Sequence, residues 1–405
     1  MTFPLRTLTR DDLDDVGVGV VLEHAFGEAH TRDDLGPTYG VIDPTRFYGA
    51  YDGDTPVATG GSFALDMTVP GAVRPVAGVT WIAVLPTHRR RGLLTALMGR
   101  LLEDLHEAGE PLAALWASQG AIYQRFGYGL AAWDAGLTVP SRAAFTTPVE
   151  ATGLRLVAPT APELAAVHEV VAPQRSGWWR RDEAWWAFRL QDPESRRGGA
   201  SPLRCVVADG PDGPQGYALY RTKPSWDGGQ PAGEVTVREL AATDAGTRAR
   251  LWRYLLDLDL MGTVSSHFGP VDEPLLHLLA EPRAAVPTLR DNLWMRLVDV
   301  AAALSGRCYG AEVDVVLDVT DRACPWNSGR WRLSGGPAGA TCAATIDAAD
   351  LRLDAADLGA AYLGGTTLSA RAGAGHVTEL RPGALAAASV AFGWPGPAPH
   401  CPMVF

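Results

Sequence analysis

Apolar positions along this 405-residue chain change period several times, and each change marks an element. "TLTRDDLDDVGVGVVLEHAF" has helical spacing, with Thr9 as N-cap and acids in the first turn. "RFYGAYDGDTPVATGGSFALDMTVPG" alternates with a period of two, which predicts strands with a turn at Asp52-Gly53. "GVTWIAV" is a continuous apolar run, as in a buried strand. In "GLLTALMGRLLEDLHEAG", residues Leu93, Leu94, Leu97, Met98, Leu101, Leu102 and Leu105 fall on one helical stripe that Gly109 can end. "PLAALWAS" is a second buried strand and runs into "QGAIYQRFGYG".

After the Pro/Thr/Ala-rich connector "VPSRAAFTTPVEATG" the same order returns. "GLRLVAPTAPELAAVHEVV" is strand then helix, and "LRCVVADGPDGPQGYALYRTK" is strand, turn, strand. "GEVTVRELAATDAGTRARLWRYLLDLDL" is strand then amphipathic helix. The echo predicts a degenerate internal repeat. A third, α+β unit starts near "LWMRLVDVAAALSGR" and runs through short alternating stretches to "CPMVF". The expected divisions are 1–140, 141–290 and 291–405.

Composition narrows the picture. The charged and apolar fractions are those of a soluble globular protein, and a chain of this length divides into domains. No apolar run approaches the ~18 residues of a membrane span, and the N-terminus lacks a signal core. The five cysteines have no metal-ligand or disulfide-framework spacing. Together these predict a cytoplasmic protein without membrane association and without metal. The net charge of −11 disfavours nucleic acid and favours cationic ligands, although acidity also serves plain solubility. Lys223 is the single lysine among 35 basic residues, a bias that fits a GC-rich genome better than chemistry.

One stretch asks for chemistry. In "VLPTHRRRGLLTAL", residues Arg89, Arg90, Arg91 and Gly92 sit where a buried strand becomes a helix. A helix N-terminus offers unpaired N–H groups and the positive end of the helix dipole to an anion. Gly92 lets that anion approach the backbone. "VTWIAVLPTHRRRGLLTALM" resembles the acetyl-coenzyme A segment of the GNAT superfamily, whose R/Q-x-x-G-x-G/A pattern Arg89 and Gly92 match and Leu94 breaks. With "AALWAS", "IYQRFGYG", "GYALYR", "LWMRLVDVAAAL", "AAYLGG" and the aromatic last residue, the whole chain resembles the enhanced intracellular survival (Eis) family of acetyltransferases. The implied fold is α/β (α+β): tandem GNAT-like mixed-sheet domains, only the first catalytic, followed by a sterol-carrier-protein-like α+β domain.

The resemblance implies roles residue by residue. Backbone groups of Ile82, Ala83 and Val84 would hold the thioester and pantetheine arm of acetyl-CoA. Amides of Arg90, Arg91, Gly92, Leu93, Leu94 and Thr95 would hold its pyrophosphate, with Ser118 and Gln119 as further contacts. Tyr123 matches the general acid, and Tyr128 is assigned to structure. The α-carboxylate of Phe405 takes the place of the proton acceptor; an apolar tail packed in a groove is the plainer alternative. Glu28 and Trp81 fall near the motifs for a cationic amine acceptor, but Val404 stands where a carboxylate would have helped. His24 and His88 read as packed or solvated rather than as bases. Trp178, Trp179, Trp185 and Trp186 have the spacing of a core or subunit interface rather than of a sugar-stacking site. The family further implies a homohexamer.

Three functions fit. The leading one is acetyl-CoA-dependent N-acetylation of aminoglycosides or similar polycationic small molecules, at one or several positions. The second is acetylation of protein lysines or of a natural-product amine. The third, a non-catalytic acyl-CoA or lipid-binding protein, predicts loss of Tyr123 or a polar tail, and neither is seen.

Overall fold

The strands expected between Phe47 and Val84 form side by side, but consecutive residues along much of them are buried, so both faces are covered rather than one. The computed structural model describes residues 3–14, 16–27 and 32–405. In chain order the first elements are β1 (Leu5–Thr7), α1 (Arg10–Asp14), α2 (Val16–Phe26), α3 (Arg32–Val41), β2 (Phe47–Asp52), β3 (Thr55–Val69), β4 (Ala72–Val84), α4 (Leu93–Glu107), β5 (Leu112–Leu115), α5 (Gly120–Tyr123) and β6 (Gly129–Pro140). Thr9 caps the first helix, its hydroxyl accepting from the Asp12 N–H at 3.2 Å. The β2–β3 turn falls at Gly53, whose φ of +60° glycine adopts without strain.

The repeat follows with β7 (Leu154–Val157), α6 (Ala161–Val171), α7 (Glu183–Leu190), β8 (Arg204–Gly210), β9 (Gly213–Lys223), the short β10 (Trp226–Asp227) and β11 (Gln230–Pro231), β12 (Gly233–Ala242), α8 (Ala245–Leu256), β13 (Met261–Ser266), α9 (Leu275–Leu278) and β14 (Val286–Leu297). The remainder comprises α10 (Val300–Ser305), β15 (Val313–Thr320), β16 (Gly329–Gly336), β17 (Gly339–Ala344), β18 (Leu351–Asp354), α11 (Ala355–Ala361), α12 (Leu368–Gly373), β19 (Thr378–Glu379) and α13 (Ala384–Phe392).

The chain divides into two compact units. The first contains residues 1–132, 292–396 and 404–405; the second contains 133–291 and 397–403. Within the first, strands run β1-β2-β3-β4-β5 and then β14, with β5 parallel to β4 and β14 antiparallel to β5. Within the second the order is β7-β8-β9-β12-β13 and then β6. The two sheets are built alike, but each is completed by the strand that follows the other repeat in sequence. That exchange is invisible in a hydrophobic pattern.

Helix α4 shows how the stripe works. Leu93, Leu97, Met98, Leu101, Leu102 and Leu105 are all buried, each contributing roughly 2 kcal/mol of apolar burial. Leu94, expected on the same stripe, is only half-buried. Residues 313–379 form a separate sheet, β17-β16-β15-β18-β19. Beneath it the fully buried Arg307 donates to the carbonyls of Tyr362, at the end of α11, and Phe392, the last residue of α13. Its charge faces the negative ends of both helices, which explains a buried arginine with no carboxylate.

In the second unit the four tryptophans of the "SGWWRRDEAWWAF" stretch are buried, as core rather than surface. Nearby, Glu239 accepts from Arg181 at 2.9 Å, Arg189 at 2.8 Å and the Tyr217 hydroxyl. Burial opposes ionisation of Glu239, but the two guanidiniums outweigh it and hold the carboxyl well below the usual range. A depressed folded-state pKa stabilises above the unfolded value, and that stability is lost as pH falls through the folded one. Glu239→Ala leaves two buried cations unpaired and is expected to destabilise by about 3–5 kcal/mol. Breaking the exposed Arg352–Asp318 pair costs under ~1 kcal/mol. Urea unfolding midpoints at unchanged slope measure both.

Candidate active site

The site starts from a mismatch in the β3–β4 ladder. Gly61 faces Thr80 and Thr59 faces Ala83, so Trp81 and Ile82 together oppose Gly60. Trp81 takes φ +57°, a left-handed conformation that costs a non-glycine residue about 1–2 kcal/mol. Gly60 makes the bulge possible, since a Cβ there would meet Ile82 Cδ1 at 2.5 Å. On its other side β4 pairs with β5 only from Ala77 to Val79. Past that point the strands part, and the outer backbone edge of β4 is open. A bulge beside a site redirects a strand in this way.

Ile82, Ala83 and Val84 therefore line a cleft of about 660 Å³. Its floor is the N-terminus of α4. Gly92 is the N-cap, with φ +84° and no side-chain cap, and the space where its Cβ would be is empty. The first intrahelical bond runs from the Ala96 N–H to the Gly92 carbonyl. The amides of Leu93, Leu94 and Thr95 precede it and face outward. Arg90, also left-handed at φ +62°, and Arg89 line the same cleft. Neither makes an ion pair among the described residues. The loop thus offers amides, a helix dipole and unpaired cations: an anion cradle sized for a phosphate.

Ser118, Gln119 and Tyr123 close the cleft from the turn after β5. Tyr123 is buried; burial pushes its phenol pKa up, and a hydrogen bond with Ser118 acts in the opposite direction. The net shift keeps the phenol protonated, as a proton donor requires. Tyr128 is buried and stands edge-on to Tyr123 at 6.1 Å. Phe405 is buried within the same unit. Its ring lies against Gly78 of β4, one residue before the strands part; a Cβ on Gly78 would meet ring carbons at 3.1 and 3.2 Å and Leu65 at 2.7 Å.

Not every expected residue lies in the cleft. Arg91 stays outside its lining and sits over the Phe3 ring at 6.0 Å. Trp81 is half-buried, its ring edge-on to Phe47 at 5.4 Å, and it too is absent from the lining. Glu28 lies outside the described residues. His24 bonds the Val20 carbonyl on its own helix. His88 lies between Thr87 and Asp52, and also lines the cleft. Sequence reasoning missed Arg125, Ile122, Ala25 and Phe26, which join the lining. Arg125, two residues past Tyr123, could have been found by the argument used for Arg89; the other three carry no signal.

The repeat supplies an internal comparison. Helix α8 follows β12 as α4 follows β4, but its N-cap is Asp244. That carboxylate accepts from the Thr247 N–H at 2.8 Å and its hydroxyl at 2.6 Å, and those bonds hold its pKa below the ordinary value. An internal carboxylate thus satisfies amides at this helix end, where a smaller cavity of about 270 Å³ remains, lined by Asp244, Ala245, Arg238 and Arg248.

Gly92→Asp puts a carboxylate at the N-terminus of α4, on a left-handed backbone at φ +84° that differs from the extended one at Asp244. It is expected to weaken coenzyme A binding at least tenfold, about 1.4 kcal/mol, by titration calorimetry. Unchanged affinity would contradict an anion cradle at α4.

Comparison with known proteins identifies both repeats. Residues 4–131 and 177–297 each match a family model described as an acetyltransferase (GNAT) domain. Residues 300–402 match a sterol carrier protein domain. An uncharacterized N-acetyltransferase of Streptomyces avermitilis is 45% identical over 97% of both chains. The N-acetyltransferase Eis of Mycobacterium tuberculosis is 39% identical over 77% of both. The structure of Eis1 from Mycobacterium abscessus superposes with a TM-score of 0.84 at 33% identity, covering 99% of this chain and all of the other. Two GNAT domains imply use of acetyl-CoA, and of these helix N-termini only that of α4 is left without a side-chain cap. An open cleft on the first repeat, a capped helix on the second, and relatives matched along the whole chain make this an N-acetyltransferase that belongs to the Eis family of the GNAT superfamily.

Proposed function

We propose that the protein transfers acetyl groups from acetyl-CoA to amines of aminoglycosides or similar polycationic small molecules, with Tyr123 as proton donor and the Phe405 α-carboxylate as proton acceptor. The observation that supports this reading is a buried Tyr123 in the cleft, its phenol pKa raised by burial; the chain end belongs to the same unit, with the Phe405 ring against β4 though outside the cleft lining. Acetyl-CoA supplies the acetyl thioester. The open edge at Ile82–Val84 would align it, and the amides of Arg90 and of Gly92 to Thr95, with the guanidiniums of Arg89, Arg90 and Arg125, would hold its pyrophosphate. A carboxylate accepts the proton that the attacking ammonium must lose. Tyr123 returns one to the sulfur as the carbon–sulfur bond breaks, and solvent restores both groups. The net charge of −11 favours a cationic acceptor. The expectation of a hexamer rests on the family resemblance and light scattering tests it; that of a cytoplasmic location rests on cysteine usage and the character of the N-terminal sequence.

The test is thiol release from acetyl-CoA with aminoglycosides, lysine peptides and simple polyamines, comparing wild type, Tyr123→Phe and a chain lacking Phe405. Both variants are expected to lose at least about 100-fold in kcat, with aminoglycosides the best acceptors. Full activity without Phe405 would overturn the carboxylate role, and preference for peptides would overturn the acceptor class. Because the phenol pKa is raised, the alkaline limb of the wild-type kcat profile is expected above the ordinary tyrosine range and absent from Tyr123→Phe. A limb below that range would contradict the donor role.

A further inference from the structure

We propose that Trp294 and Arg296 are positioning residues for Tyr123, together forming a cradle that fixes the turn on which it sits. The inference rests on the reading of Tyr123 as proton donor. Two glycines bracket that tyrosine: Gly120 opens α5, and Gly127 ends the turn after it with φ +79°. Each is pressed against one side chain of the same strand. A Cβ on Gly120 would lie 2.6 Å from Trp294 Cζ2 and 2.9 Å from Cη2. A Cβ on Gly127 would lie 2.1 Å from Arg296 Nη1 and 2.7 Å from Cζ. Residues 294 and 296 are two apart on β14 and so share a face, in register with Leu115 and Ala113 of β5. A single rigid strand therefore holds both ends of the Tyr123 turn.

The cradle is itself immobilised. Arg296 is wholly buried and donates through Nη2 to Asp321 Oδ2 at 2.6 Å. Asp321 also accepts from Asn327 Nδ2 at 2.9 Å and from the Cys324 N–H at 3.0 Å. Asn327 in turn donates to the Val298 carbonyl and accepts from the Val300 N–H, returning the network to the end of β14. Among the described residues the Nε and Nη1 atoms of Arg296 have no nitrogen or oxygen partner, while the Cys324 thiol supports the guanidinium's charge. A buried ion pair is weak evidence for stability, since well-packed apolar residues often do as well or better. What it provides is a flat, fixed surface under Gly127. Tyr128, edge-on to Tyr123, supplies the remaining wall.

Precise placement is where such a cradle matters, because a shift of about 1 Å in a catalytic group can cost up to about 100-fold in rate. Gly120 lies outside the left-handed region, so alanine there meets only the indole edge. Gly120→Ala is expected to lower kcat at least tenfold, with a clearly smaller rise in the acetyl-CoA KM because Arg125 rides on the same turn. Trp294→Phe removes the offending ring atoms, so Gly120→Ala/Trp294→Phe should recover most of the loss relative to Trp294→Phe alone. Arg296→Met combined with Asp321→Asn removes both charges together and should show the same loss, again mainly in kcat. Should Gly120→Ala not fold, Trp294→Phe by itself opens a gap at Gly120 and is read by the same split.

Tyr123→Phe, measured alongside, separates the two claims. If Tyr123→Phe keeps full activity, the donor reading fails and the cradle loses its purpose. If it collapses while Gly120→Ala keeps its kcat, the cradle alone is wrong. A loss that Trp294→Phe does not relieve, or that raises the KM in proportion, would equally overturn it.

Discussion

Everything at the site depends on β4 and β5 failing to stay paired. Three residues of parallel ladder hold them together, and then the two-for-one bulge at Trp81–Ile82 carries β4 away. The strain in Trp81 is small against what it opens: an unpaired strand edge beside the end of a helix. Because α4 starts at a glycine cap rather than a side-chain cap, the same opening presents bare amides beside guanidiniums that make no ion pair among the described residues. Strand edge and helix end face one cleft and suit an anionic, extended ligand. In the function proposed above, Tyr123 and the chain end would add proton chemistry to a place the backbone had already made.

The second repeat shows how little is needed to change such a helix end. It keeps the strand order, the parallel pair and a register shift between Val237 and Glu239 of β12. At α8 the Asp244 carboxylate accepts from the N–H of Thr247, which at α4 has only an uncapped counterpart. The exchange of β6 and β14 gives the repeat a structural use, since the sheet of the first unit is completed by residues that follow the second repeat in the chain.

Much of this was legible in sequence. The period of two in β2 and β3, the leucine stripe of α4 and the glycines at 53 and 109 are local signals, and local physics decided them. The arginine junction was legible because charge at a strand-to-helix boundary has few other uses. Tyr123 was found by resemblance; composition alone would have left it a packed tyrosine. Long-range geometry stayed hidden. Nothing in "DNLWMRL" says that Trp294 and Arg296 will press on Gly120 and Gly127, because the pairing of β14 with β5 joins segments nearly two hundred residues apart. The exclusion of Trp81 from the cleft was hidden for a related reason: its direction is set by a left-handed backbone that a β-propensity argument cannot foresee.

The account stands on one helix end being uncapped and its copy being capped by Asp244. Titration of the intact protein with acetyl-CoA, read as stoichiometry per chain, measures that directly. One coenzyme bound per chain is the predicted result. Two per chain would mean that Asp244 does not close the second helix end, and none would mean that the cradle at Gly92 is not a coenzyme site.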